Sequence, residues 1–211
     1  MRPLITANGL LLAWEALAWA SSVPVYILPP PSRVAVVLAE RFDLLMEQAA
    51  WTATEMILGL ALGLLLGATL AVVFAASAGW RRWSLPLVIV SQAIPVIAIA
   101  PLLVLWLGYG MASKVAMAAL VIFFPVVSAL YDGLRRTDQG WLDLAQTMDA
   151  RPRAVLLQIR LPAALPAFVS GARIAAAVAP IGAVIGEWVG ASAGLGYLMT
   201  QSLARGQTPL A

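Results

Sequence analysis

The feature that most constrains this chain is a series of long apolar stretches. A helix needs about 20 mostly apolar residues to cross a bilayer with its backbone hydrogen bonds satisfied internally. Of the 211 residues, 62% are apolar and 11% are charged, whereas soluble domains carry about 25% charged residues. The sequence therefore predicts an all-α, polytopic transmembrane helical bundle that forms one domain over residues 1–211. Five stretches qualify as spans: residues 4–23, 49–78, 85–107, 115–134 and 161–188.

The first stretch follows a single arginine, Arg2, and lacks a clean small-residue cleavage site. We therefore favour a retained span over a signal peptide. Prolines 29 to 31 end this span, and apolar residues then recur at helical spacing. That pattern predicts a helix lying on the membrane surface before the second span. Its apolar residues are Val34, Val37, Leu38, Phe42 and Leu45.

The distribution of Lys and Arg among the loops predicts the orientation, because short cytoplasmic loops carry an excess of positive residues. Arg81 and Arg82 mark the loop after the second span, and five arginines lie between residues 135 and 160. The loop after the third span has only Lys114. We therefore expect a multi-pass protein of the inner membrane with a cytoplasmic N-terminus. Arg33 and Arg41 then lie on the outer side, which is a mild exception to the rule.

Several kinds of chemistry lack the residues they need. The sequence has no Cys and no His, which excludes thiol and imidazole nucleophiles, Cys/His zinc sites and histidine general bases. It has no G-x-x-x-x-G-K-[ST] phosphate-binding loop, so we do not expect the chain to bind or hydrolyse ATP by itself. The net charge of +3 without a dense basic run gives no basis for nucleic-acid binding. We therefore expect no cofactor and no metal.

Glycine and proline mark the interiors of several spans. Gly59, Gly63 and Gly67 fall on one helical face, where two backbones can approach closely. Such a face suits a tight contact inside a translocator, and it equally suits ordinary membrane-helix packing. Prolines at helix depth each remove a backbone donor and favour a kink. They are Pro95, Pro101, Pro125 and Pro180.

Ionisable groups at membrane depth are candidates for a translocation pathway, because their insertion costs a few kcal/mol. Arg173 lies in the fifth span, where it fits a pathway role or structural pairing. Glu187 is expected near the outer interface beside Trp188, where water lowers the cost of its charge. In the third span, Gln92 with Pro95 is a candidate to line a pore for a small polar solute. Glu15 and Glu55 fall in the first two spans, and no two carboxylates have the spacing of a catalytic pair.

The segment 135–162 is amphipathic and not membrane-spanning. Trp141, Leu144, Ala145 and Met148 stand at i, i+3, i+4 and i+7, which predicts a short helix with one apolar face. Asp138 is a suitable N-cap for this helix.

A turn is expected at Asp149 and Ala150, and Pro152 suits the first turn of a second short helix. In that helix Val155, Leu156 and Ile159 fall on one side. The segment thus predicts a cytoplasmic helix-turn-helix elbow. Its apolar face must bury against either a partner or the protein's own loops.

The elbow resembles the signature of permease subunits from binding-protein-dependent ATP-binding-cassette importers. That signature reads E-A-A, three residues, G, nine residues, then I-x-L-P. Here residues 143–145 read Asp-Leu-Ala, Asp149 stands at the Gly position, and residues 159–162 read I-R-L-P with the family spacing. Leu144 and Asp149 depart from the family residues. A Gly at that position suggests a positive φ, which Asp tolerates better than most residues.

The resemblance extends from about Trp14 to Gln207 and includes ILPPPSRV and GEWVGASAGLGYLM. It implies a transport subunit and not an enzyme, with ATP hydrolysis in a separate partner subunit. It also implies that the elbow docks on this ATPase and transmits its movement to the membrane helices. The implied partners are ATP-binding subunits, a periplasmic or lipid-anchored solute-binding protein, a second copy of this chain, and the lipid bilayer. The implied coupling residues are Trp141, Asp143, Leu144, Ala145, Met148, Asp149, Ala150, Ile159, Leu161 and Pro162.

Within this family, the sequence of segments such as SQAIPVIAIAPLLVLWLGYG looks most like that of permeases for hydroxymethylpyrimidine, a thiamine precursor. Aliphatic sulfonate, taurine and nitrate permeases are the alternative within the class. The family usually has a sixth span, which we expect to lie beyond residue 211 of a truncated sequence. Two alternatives belong to other classes: a membrane-embedded enzyme, which the lack of His and Cys disfavours, and a nonfunctional or structural membrane protein.

Overall fold

The computed structural model describes residues 2–21 and 23–210, and within these the regular structure is helical throughout. This confirms the predicted all-α class. A 3₁₀ turn, Thr208–Leu210, follows the last helix. The helices are α1 (Arg2–Ala20), α2 (Pro31–Glu40), α3 (Phe42–Ala76), α4 (Ala78–Ser91), α5 (Val96–Leu107), α6 (Met111–Arg135), α7 (Gln139–Thr147), α8 (Pro152–Ala154), α9 (Leu161–Trp188) and α10 (Leu195–Ala204).

The described residues contain three helices long and apolar enough to cross a membrane. These are α3, α6 and the continuous helix Pro152–Trp188, in which a π-helical turn, Val155–Arg160, joins α8 to α9. The pair α4 and α5 makes a fourth if it counts as one bent span. The count is therefore three or four, below the five predicted. Helix α1 is not among these candidates.

The predicted third span, residues 85–107, is not one straight helix. Helix α4 ends at Ser91, α5 begins at Val96, and the two are bent by 104°. Pro95 is the N-cap residue of α5. Because proline has no N–H and clashes with the preceding turn, the helix ends before it and restarts beyond it.

The chain forms two compact units, of which the first comprises residues 1–52 and 192–211. In it, Ser32 donates from its backbone N and its Oγ to the Glu15 carboxylate, at 3.0 and 2.7 Å. Glu15 thus satisfies a free N–H in the first turn of α2. The N-terminus of α10 is held similarly, since the Gly194 N–H donates to Gln48 Oε1 and the Leu195 N–H donates to Thr52 Oγ1, at 2.7 and 2.8 Å.

The second unit comprises residues 53–191, and α6 lies at its centre. The predicted glycine face of α3 packs on α6: Gly59 faces Ala118, Gly63 faces Ile122 and Gly67 faces Val126. On α9, Gly182 also meets Ala118, and Gly171 meets Ala129. An added Cβ at these glycines would collide with α6. The predicted close helix contact is therefore confirmed, and its partner is α6.

The last turns of α3 and α6 are fixed to each other by aromatic packing. The buried rings of Phe74 and Tyr131 meet edge to face, with centroids 5.9 Å apart. Leu130 and Leu134 of α6 are buried in the same cluster. Because α6 ends at Arg135 and α7 begins at Gln139, this cluster lies directly beside the start of the elbow.

Candidate functional site

The elbow has the local structure that the sequence predicts. The Asp138 side chain accepts a hydrogen bond of 2.7 Å from the Gly140 N–H, which confirms it as the N-cap of α7. Asp149 has φ = 50° and is the non-glycine residue with positive φ among those described. The Ala150 N–H donates to the Ala145 carbonyl at 3.0 Å and closes the turn. Pro152 opens α8, as predicted.

The second half of the elbow continues into the membrane helix without a break. A π-helical turn, Val155–Arg160, lies between α8 and α9, so Ile159 belongs to this turn and Leu161 begins α9. π-helical turns are uncommon and occur often at functional sites. Movement of the elbow would therefore act directly on α9.

Most of the apolar face of α7 is exposed. Ala145 is 4% exposed, whereas Trp141, Leu144 and Met148 are 55%, 61% and 73% exposed. These four residues line an open groove of about 690 Å³. Asp143 and Asp149 are exposed beside it, and Leu161 is half-buried. The remaining lining residues are Ala150, Gln158, Ile159, Pro162 and Ala163.

This exposure bears on the two alternatives for the apolar face. If the elbow packed on the protein's own loops, its large apolar side chains would be covered, but within the described residues only Ala145 of the four is buried. A groove lined by large apolar side chains is typical of a surface that binds another protein. The geometry favours an external partner.

The candidate pathway residues lie in different environments. Gln92 and Pro95 are exposed at the bend between α4 and α5. Arg173 is exposed on α9. Glu187 was expected near the outer interface beside Trp188, where water would lower the cost of its charge, but its side chain is buried, at 1% exposed. Its burial follows from the small residues Gly182, Ala183 and Gly186, which bring this end of α9 close to α6.

Glu187 belongs to a buried cluster with Glu55 of α3 and Lys114 of α6, which are 5% and 2% exposed. The Glu55 and Glu187 carboxyl groups lie close to each other and to the Lys114 ammonium. The cluster therefore brings acidic groups and a cation together, and a low-dielectric interior tolerates buried charges when they have such partners.

Lys114 also closes the end of α9. Its Nζ donates to the carbonyls of Gly190 and Val189, at 2.8 and 3.3 Å, and to Ser113 Oγ at 3.2 Å. A cation at a helix C-terminus satisfies free carbonyls and opposes the negative end of the helix dipole.

The sequence interpretation counted Lys114 as a loop charge and missed this role. The signal was available, since Lys114 is followed by a long apolar run, VAMAALVIFF. A lysine at the start of such a run is a candidate for burial.

The chain belongs to the family described as the binding-protein-dependent transport system inner membrane component, whose model matches residues 59–211. A probable ABC transporter permease protein of Haemophilus influenzae is 53% identical over 210 residues, covering 100% of this chain and 86% of the relative. The formylaminopyrimidine transport permease protein ThiX of Halalkalibacterium halodurans is 38% identical over 206 residues, covering 95% and 82%. Further relatives are named for transport of riboflavin, aliphatic sulfonates and taurine.

The fold is also similar to that of a solved transporter. The match is to the MetNI methionine ABC transporter in inward-facing conformations, with a TM-score of 0.67 and 20% identity. It covers 77% of this chain and 82% of the other. This likeness supports the helical membrane fold.

Proposed function

We propose that this chain is the membrane-spanning subunit of an ABC importer in the inner membrane, working as a homodimer with a cytoplasmic N-terminus. Two ATP-binding subunits bind its elbows, and a solute-binding protein delivers the substrate from outside. The observation that carries the proposal is the exposed apolar face of α7, formed by Trp141, Leu144 and Met148. Family membership and the signature spacing of residues 143–162 support the same role.

The coupling follows from the continuity of the elbow with α9. Closure of the ATP-binding subunits displaces the groove at Leu144 and Ile159, and the π-helical turn passes this displacement to α9. Helix α9 packs on α6 along most of its length through small residues. A shift of α9 therefore moves the central helix pair between inward-open and outward-open states. The shift is driven by the difference in ATP affinity between the two states.

For the substrate, we propose a hydroxymethylpyrimidine-like thiamine precursor. The support is the resemblance of segments of this sequence to hydroxymethylpyrimidine permeases, together with a relative of 38% identity whose name refers to formylaminopyrimidine. An aliphatic sulfonate, taurine or nitrate is the alternative. Gln92, Pro95, Arg173 and Glu187 are the proposed pathway residues. Of these, Gln92 and Arg173 offer accessible polar groups.

Retention of the ATP-binding subunit in detergent tests the coupling role. Leu144→Arg places a charge on the exposed face without entering the elbow's interior, whereas Ala145 is buried and its substitution would disturb the elbow itself. The matched control is Gln139→Arg, which adds the same charge to α7 at an exposed position away from the groove. We expect Leu144→Arg to lose the ATPase and Gln139→Arg to keep it. Equal retention by both variants would contradict the coupling role.

Uptake in cells tests the substrate. A strain that expresses the complete transporter is supplied with labelled hydroxymethylpyrimidine, taurine or nitrate, with the Leu144→Arg transporter as the inactive control. The proposal predicts saturable uptake of the pyrimidine alone. Uptake of taurine or nitrate, but not the pyrimidine, would replace the substrate and leave the coupling role intact.

A further inference from the structure

The second unit has a basic cavity that neither the coupling role nor the transport pathway uses. It measures about 670 Å³ and lies between the start of α4 and the end of α6. Three arginines line it: Arg81 and Arg82 from α4, and Arg135 from α6. Because Arg135 is the first residue of the elbow segment 135–162, the cavity lies at the elbow's end of the bundle.

The three guanidinium groups are available to a ligand. Within the described residues none of them has an ion-pair partner, and the Arg135 guanidinium instead lies over the Tyr131 ring, 5.6 Å from its centroid. That contact fixes the direction of Arg135 while leaving its N–H groups free. Tyr131 is itself held by Phe74, so the wall of the cavity is rigid. Guanidinium groups bind phosphate oxygens through paired N–H donors.

The start of α4 adds to the positive potential. Ala78 and Gly79, the first two residues of this 14-residue helix, line the cavity. Helix N-termini present free N–H groups and the positive end of the helix dipole. The arginines and this helix end thus act on the same space, and an anion there interacts favourably with both.

The cavity also has an apolar side, which distinguishes it from a site for a soluble anion. Leu85 and Pro86 line it together with the arginines. On the same helix Trp80 and Trp83 are 64% and 79% exposed, and tryptophan is enriched where the headgroups of a bilayer meet its hydrocarbon. Leu87 and Val90 continue the exposed apolar surface of α4. If the headgroup of a lipid bound among the arginines, the acyl chains of that lipid would lie along this apolar surface.

We propose that this cavity binds the phosphodiester headgroup of an anionic phospholipid from the cytoplasmic leaflet. Basic pockets between membrane helices on the cytoplasmic side recognise such headgroups. A lipid phosphodiester and free phosphate would bind through the same chemistry, an oxyanion held by three arginines. The apolar lining residues and the exposed tryptophans favour the lipid. The bound lipid would tie the start of α4 to the end of α6, next to the elbow.

Lipid titration of the purified full chain in detergent, followed by native mass spectrometry, tests the proposal. The probes are short-chain phosphatidylglycerol, phosphatidylcholine and inorganic phosphate. We expect phosphatidylglycerol to bind at least ten-fold more tightly than phosphatidylcholine. Substitution of an arginine by Gln is expected to weaken phosphatidylglycerol binding about five-fold, and the triple variant R81Q/R82Q/R135Q about 100-fold. The control variant R41Q/R151Q/R205Q removes the same charge at exposed positions outside the cavity and should bind as wild type.

Each other outcome overturns the proposal. Equal weakening in the control variant would mean general electrostatic attraction, and unchanged binding in the triple variant would place the lipid elsewhere. Complete displacement of phosphatidylglycerol by millimolar inorganic phosphate would assign the cavity to a free anion. If the triple variant fails to fold, Arg82→Gln alone replaces it, since Arg82 is exposed and makes no contact within the described protein that folding would need.

Discussion

Glu55, Lys114 and Glu187 lie buried inside the helix bundle, whereas Trp141, Leu144 and Met148 lie exposed on the elbow. Each group faces surroundings that disfavour it, since charges avoid apolar interiors and large apolar side chains avoid water. The charged group finds its partners within the chain, through the paired carboxyls and the carbonyls that Lys114 reaches. The apolar group has no cover within the described residues. The difference separates a buried structural cluster from the surface proposed to bind the ATP-binding subunit.

The largest expected effect is at Lys114. Lys114→Met leaves the two carboxyl groups and the last carbonyls of α9 without their cation, which should lower the free energy of unfolding by about 3–5 kcal/mol. Thermal unfolding in detergent measures the loss. Arg173→Met is the control, because it removes an exposed charge from α9 and should change stability by less than about 0.5 kcal/mol. Similar stability of the two variants would show that the cluster has no structural role.

Trp141→Ala should have the opposite effect to Lys114→Met: it should weaken binding of the ATP-binding subunit and leave the stability of the chain unchanged. Because Trp141 is 55% exposed, the isolated chain should keep its stability to within about 0.5 kcal/mol. Its binding of the ATP-binding subunit should weaken by about 2 kcal/mol, as is usual for a central aromatic residue of an interface. Thermal unfolding and a binding titration give the two values. A loss of stability without a loss of binding would reverse the assignment.

Glu55→Gln tests how many of the two carboxyl groups in the buried cluster carry a charge. If one of the two carboxyl groups already holds a proton, the amide replaces a neutral group and the net charge stays the same. We expect a change of at most about 1 kcal/mol in the free energy of unfolding, the size of one hydrogen bond. A loss as large as that of Lys114→Met would contradict a neutral carboxyl group at Glu55.

The smallest expected effect is at Asp149, which has φ = 50°. Asp149→Gly relieves the left-handed conformation but adds freedom to the unfolded chain. The net gain should be about 0.5 kcal/mol, because Asp tolerates this region better than most residues. Asp143→Gly, in the interior of α7, is the contrasting variant and should lose about 0.3 kcal/mol. Chemical denaturation of both variants measures the difference.

The elbow was predictable because its determinants are local. The Asp138 cap, the positive φ at Asp149 and Pro152 in the first turn all follow from residues within a few positions of one another. The bend between α4 and α5 was not predicted, although Pro95 marks it, because a proline within an apolar stretch is also compatible with a mild kink. The burial of Glu187 and Lys114 depends on contacts between three helices distant in sequence. Apolar periodicity does not indicate which polar residues meet.

The helix from Pro152 to Trp188 has 37 residues, and at 1.5 Å per residue it is about 55 Å long. The π-helical turn near one end divides this helix into a short and a long segment. The long segment is α9, whose 28 residues span about 42 Å, so a tilt of about 5° at the turn displaces its far end by roughly 4 Å. The far end is where Lys114 holds the carbonyls of Val189 and Gly190. A small rotation at the elbow is thus amplified at the opposite side of the bilayer.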